Sequence, residues 1–104
     1  MTTMTHRKQP ITKTATASAV SILKLLSSKT RFQILTLLMK SKGDPCVNEI
    51  ADTIGISQSA TSHQLALLEE KDVVEAYREG QMICYHLKDS PTSKHLRKII
   101  NQFV

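Results

Sequence analysis

The sequence predicts a mainly α domain that carries one β-hairpin, with elements in the order α-α-α-α-β-β-α. Three observations carry this. Apolar residues recur at helical spacing in stretches up to Leu68 and again after Pro91. Between them, Val73 to Tyr77 and Met82 to Leu87 are rich in β-branched and aromatic residues and flank the polar turn Arg78, Glu79, Gly80, Gln81, the pattern of a hairpin. Finally, Ile50, Ala51 and Ile54 keep helical spacing up to Gly55, which supplies a positive φ, and Ser57 can then cap a new helix almost at once.

The elements follow in order. Residues 1–17 are rich in Thr, include Pro10 and cluster His6, Arg7, Lys8 and Lys13 without an apolar period, so they are expected to form a mobile N-terminal arm. The domain then spans residues 18–104. Ala19, Ile22, Leu23 and Leu26 form the stripe of a first helix beginning near Ser18. Ser28 caps a second, KTRFQILTLLMK, whose Phe32, Leu35 and Leu38 point inward while Ile34, Leu37 and Met39 widen the apolar face, so it belongs at the centre of the domain. Lys42 and Gly43 close it. Asp44 as cap and Pro45 as first residue open the third helix, with Val47, Ile50 and Ile54 inward. The fourth starts at Ser57, with Ala60, Thr61, Leu65 and Leu68 on one side. After the hairpin, Ser90 and Pro91 repeat a cap-then-proline start, and Leu96, Ile99, Ile100 and Phe103 form the stripe of the last helix opposite Lys94, Arg97, Lys98 and Gln102.

The third and fourth helices read as a helix-turn-helix, and a hairpin directly behind such a pair is a wing. The outer face of the fourth helix, Gln58, Ser59, Ser62, His63 and Ala66, is short, polar and uncharged, whereas a merely solubilising face would carry Lys and Glu, as Glu69, Glu70 and Lys71 do at its end. Side chains of this kind approach base edges and phosphates closely and hydrogen-bond there. Candidate DNA contacts are Ser57, Gln58, Ser59, Ser62, His63 and Gln64, with Arg78 at the wing tip reaching a phosphate. An ordinary two-helix corner with a wet turn arginine is the bland alternative.

Composition narrows the class. With 104 residues, the chain holds one core, and a partner that buries more surface would help it. Fourteen Lys and Arg against nine Asp and Glu give a formal charge of +5, compatible with double-stranded DNA. Two cysteines far apart, without a signal peptide or a long apolar run, point to a reducing cytoplasm, no disulfide framework and no membrane. The lack of Trp argues against stacking on single strands. No acid-base pair, nucleophile with a nearby base or phosphate-cradling glycine loop marks an enzyme. The competing class is an interaction module that offers the polar face of the fourth helix to another protein and binds DNA only non-specifically.

From Ser18 onward the chain resembles the ArsR/SmtB family of winged helix-turn-helix repressors. The resemblance rests on SSKTRFQILTLL, on PCVNEIADTIGISQSATSHQLALLEEKDVV, whose stretch from Ser57 to Leu65 is the most specific part, and on REGQMICYHL in the wing. It implies a homodimer formed through the first and last helices, seated on operator DNA and released by an effector. Thr61, where the family prefers a bulkier apolar residue, and Gln81, where its wing is often basic, depart from the pattern.

The family's metal positions are incomplete here. Cys46 matches the first Cys of a Cys-Val-Cys site, but Asn48 replaces the second, a poor set for thiophilic ions. Cys46, Glu49 and His6 imitate another family site, with one arm ligand where two are usual. In the last helix Asp89 matches a first zinc ligand, but Pro91 and Gln102 stand where histidines belong. No metal or other cofactor is therefore assigned. Cys46, expected near the positive end of the third helix, is a candidate for oxidation or persulfidation. Cys84 lies on a separate element, too far along to be taken as its partner.

Overall fold

The computed structural model describes residues 12–104. His6 and the rest of residues 1–11 lie outside the described residues. Five helices and a two-stranded antiparallel hairpin follow one another as α1 (Lys13–Leu26), α2 (Lys29–Lys40), α3 (Val47–Ile54), α4 (Gln58–Glu70), β1 (Val74–Glu79), β2 (Met82–Leu87) and α5 (Pro91–Ile100).

The first helix starts at Lys13, not near Ser18. Thr12 caps it, its hydroxyl accepting the Ala15 N–H at 3.0 Å. Residues 13–17 carry no apolar period because all of them are exposed, so periodicity had nothing to report there. The inward stripe is also rotated from the expected one. Leu25 is buried, with Ile22 and Leu26 packed beside it, while Ala19 and Leu23 face outward.

Helix α2 begins after the Ser28 cap and buries Ile34, Leu35 and Leu38, with Phe32 only partly covered. It is the centre of the core. It ends at Lys40, as the stretch KTRFQILTLLMK predicts, but Ser41 caps it in place of Lys42 and Gly43, its hydroxyl donating back to the Leu37 carbonyl at 2.7 Å. Helix α3 starts later than the Asp44-Pro45 pattern predicts. Its N-cap is Cys46, whose N–H donates to the Glu49 carboxylate at 2.8 Å. Pro45 stays outside the helix because its carbonyl is used by the sheet, accepting the Tyr85 N–H at 3.0 Å.

Gly55 has φ 86°, and Ser57 accepts the Ala60 N–H at 3.0 Å, as the sequence predicts. No heavy atom would crowd a Cβ at Gly55, so a substitution there meets backbone strain alone. Gly55→Ala is expected to lower the unfolding free energy by about 1 kcal/mol, the ordinary cost of a left-handed non-glycine residue, when measured by urea denaturation. No loss would mean that the turn relaxes to another conformation.

In the hairpin, Val74 lies opposite Leu87 and Tyr77 opposite Cys84, and Gly80, with φ 63°, helps to close a two-residue loop. The strands bury Val74, Cys84 and Tyr85 against the helices, together with Val73 just before β1. At the hairpin base, the Lys88 ammonium pairs with the Asp72 carboxylate, which holds that lysine above its ordinary pKa through hydrogen bonding first and charge second. Ser90 caps α5 with Pro91 at its start, and Leu96 and Ile100 return to the core. Phe103, expected on the same stripe, is exposed and meets Phe32 edge-on at 6.3 Å between centroids.

Candidate nucleic-acid interface

Helix α4 is held from one side only. Thr61, Leu65 and Leu68 are fully buried, with Gln64 and Leu67 half-buried beside them, and this stripe packs on α3 and β1. Burial of a threonine at an inward position is explained by its hydroxyl, which donates to the Ser57 carbonyl at 2.9 Å and so is not left unsatisfied. Ala60, expected on the inner side, is exposed. It sits one residue before the stripe and turns with the outer face.

That outer face presents Gln58, Ser59, Ser62, His63 and Ala66, all exposed and none of them Lys, Arg, Asp or Glu. Ser57 and Ser59 stand 3.3 Å apart between hydroxyl oxygens, and Ser57 already accepts the Ala60 N–H, so it keeps its own O–H donor and one further lone pair. The face is continuous along more than two turns and begins beside the exposed cap Ser57. Short polar side chains on a projecting helix can read base edges in a major groove without steric interference.

Gln64 is half-buried at the edge of that face. Its side-chain oxygen accepts from the Arg31 guanidinium at 3.1 Å, and the same guanidinium donates to the carbonyls of Leu25 at 2.9 Å and Lys24 at 3.0 Å. Arg31 therefore ties the end of α1 to the middle of α4. The sequence places Gln64 among the candidate DNA contacts and assigns Arg31 no role; only the packing of the whole core brings the two, 33 residues apart, within hydrogen-bond reach.

Arg78 is not at a tip. It lies within β1 opposite Ile83, exposed, one position before the strand end, because the loop is two residues long and both flanking positions pair. It stays available to a phosphate from the wing's flank. At the wing base the His86 ring lies 3.4 Å from Asp44 and 3.2 Å from Glu75, and Tyr77 tilts over it at 6.0 Å. Partial burial, then hydrogen bonding to Asp44, holds the Tyr77 phenol above its ordinary pKa. These contacts fasten the hairpin to the loop before α3, so the wing and the helix-turn-helix share one frame.

The expected effector residues are rearranged. Glu49 is engaged with the Cys46 backbone and is not among the groups gathered at the thiol. Cys46 and Cys84, expected to be unpartnered, are paired as a disulfide, and their residues also form an antiparallel bridge between the start of α3 and β2. A chain separation of 38 residues hid this, since nothing local encodes how the wing docks. Around α5 the family's zinc positions do not fit a metal: Asp89, before the helix, is exposed beside the Lys94 ammonium at 3.5 Å, and Pro91 and Gln102 supply no imidazole.

The wider comparisons agree with this geometry. Residues 28–76 match the family model described as bacterial regulatory protein, arsR family. The HTH-type transcriptional regulator NmtR of Mycobacterium tuberculosis is 36% identical over 91 residues, covering 88% of this chain and 74% of that one. Among solved structures, the transcriptional repressor BigR of Xylella fastidiosa superposes with a TM-score of 0.75 at 27% identity, covering 88% of each chain. The homodimeric winged helix-turn-helix DNA-binding domain of Mb0332 from Mycobacterium bovis superposes with a TM-score of 0.67 at 26% identity over 86% of this chain and 77% of that one.

Proposed function

This chain belongs to the arsR family of bacterial regulatory proteins and is a DNA-binding transcriptional regulator, and on that basis we propose that it is a homodimeric repressor. It holds a palindromic operator with α4 and is released by an effector. The observation that carries this is the division of α4 into a fully buried stripe and an exposed, uncharged polar face. Ser57, Gln58, Ser59, Ser62 and His63 contact the duplex there, and Arg78 meets a phosphate beside it. Gln64 acts from behind by orienting the helix.

The dimer forms through α1 and α5. Outward-facing Ala19 and Leu23 join Ile22, His95 and Ile99 along an apolar groove between these helices, and Val20 and Leu23 are exposed large apolar residues of α1. A copy of the same surface would cover them, and a two-fold dimer presents two α4 helices to two half-sites. Among the described residues no helix is long and apolar enough to cross a membrane. The proposal places the chain in the cytoplasm with its DNA. Relatives named as transcriptional regulators favour this reading over a protein-docking role for the same face.

Fluorescence anisotropy with a duplex from upstream of the chain's own gene tests it. Binding should resist a scrambled competitor, and log affinity should fall against log salt with a slope of about 0.9 per phosphate contacted. Ser62→Ala with His63→Ala is expected to weaken operator binding by about tenfold or more and to leave the scrambled duplex nearly unaffected, since lost base contacts cost roughly 1–3 kcal/mol each. Equal loss on both duplexes would remove α4 from sequence reading.

A further inference from the structure

We propose that, when reduced, Cys46, Cys84 and Glu79 form a binding site for one thiophilic divalent cation, of the zinc or cadmium class, between the start of α3 and the wing. The ligand atoms of these three residues lie within 4.8 Å of one another, with the Cys84 sulfur 3.7 Å from a Glu79 carboxylate oxygen. Tetrahedral ligands at zinc bond lengths stand about 3.8 Å apart for two sulfurs and about 3.5 Å for sulfur and oxygen, so the spacing needs only side-chain adjustment once the sulfur-sulfur bond is open. Two sulfurs in three ligands select soft or borderline ions and reject magnesium and calcium.

The surroundings suit this use. Cys84 is buried, Cys46 half-buried and Glu79 exposed, so the set runs from the interior to the surface and leaves a path of entry and a fourth position for solvent. Cys46 caps α3, where the helix dipole favours a thiolate, and Glu49 is held aside by the Cys46 N–H. The site uses the wing and shares only Cys46 with the ligand sets that the family resemblance implies. It does not depend on DNA binding. Opening the disulfide takes two electrons and two protons from a dithiol reductant, which is oxidised in turn. The cation then displaces both thiol protons as the two thiolates and the Glu79 carboxylate close on it. Disulfide and cation thus exclude each other at one place.

The test titrates the reduced, metal-free full chain with cadmium under anaerobic conditions, following sulfur-to-cadmium charge-transfer absorption, and with zinc against a chromophoric chelator. One cation per chain is expected, with none bound by the oxidised chain. Glu79→Gln should weaken binding by about tenfold or more. Cys46→Ser and Cys84→Ser should each abolish the two-thiolate spectrum. Circular dichroism checks folding, and should the buried Cys84 variant fail to fold, the Cys46 and Glu79 variants at the more accessible positions decide. Equal binding by reduced and oxidised chains, affinity unchanged in Glu79→Gln, or wild-type affinity in a folded Cys84→Ser variant would each overturn the site.

Discussion

Leu65→Ala is expected to lower the unfolding free energy by about 3 kcal/mol, the middle of the range for a leucine deleted from a rigid core. Leu65 is fully buried on the inner stripe of α4, among residues of the central cluster that includes Ile34, Ile50 and Leu68. Removing its side chain leaves a cavity between α4 and the rest of the domain, where relaxation would tilt the helix. In a domain of this size, with roughly 5–10 kcal/mol in total, the loss is large enough to reduce operator binding at physiological temperature. Urea denaturation at fixed chain concentration measures it, with Ser62→Ala as the control on the exposed face, expected within about 0.5 kcal/mol of wild type. Equal costs for the two variants would mean that the inner and outer faces of α4 are misassigned.

Arg31→Ala is expected to cost about 2 kcal/mol of stability and, in addition, about tenfold in operator affinity. The guanidinium donates to the Leu25 and Lys24 carbonyls and to the side-chain oxygen of Gln64; Ser27 also serves the Lys24 carbonyl, so the loss of Arg31 leaves the Leu25 carbonyl without that donor and cuts the tie between α1 and α4 in a single step. Arg31→Lys should recover little, because an ammonium cannot span three acceptors with the geometry of a planar fork. Gln64→Ala separates the two effects: it removes the link to α4 and leaves the α1 carbonyls bonded. A double-mutant cycle between Arg31 and Gln64, read by denaturation and by anisotropy, should show coupling in both. If Gln64→Ala instead changed base preference with no loss of stability, Gln64 would be a base contact and the clasp incidental.

Both experiments bear on where the sequence was informative. The order of elements was legible because each is encoded locally. Ser28, Ser57 and Ser90 announce helix starts through their capping hydroxyls, Gly55 announces the turn through its positive φ, and the change of apolar period after Leu68 announces the hairpin. The polar face of α4 was legible for the same reason, since five positions at helical spacing define it. Errors fell where a local signal was absent or was outvoted. Residues 13–17, KTATA, are helical without an apolar period because they are all exposed and include no large apolar side chain. Asp44 and Pro45 carry a helix-start pattern, but the wing claims the Pro45 carbonyl and delays α3 to Val47.

By itself, then, the sequence determined the winged helix-turn-helix architecture, the exposed polar face of α4 and the family, all properties of short windows whose residues contact one another or their own backbone. Only the tertiary structure decided which residues meet across windows: Arg31 with Gln64, Asp44 with His86, and Cys46 with Cys84 and Glu79. Such meetings depend on the angles at which helices and hairpin dock. Those angles are set by the summed packing of the whole core, and no single stretch of the chain carries a periodic trace of them.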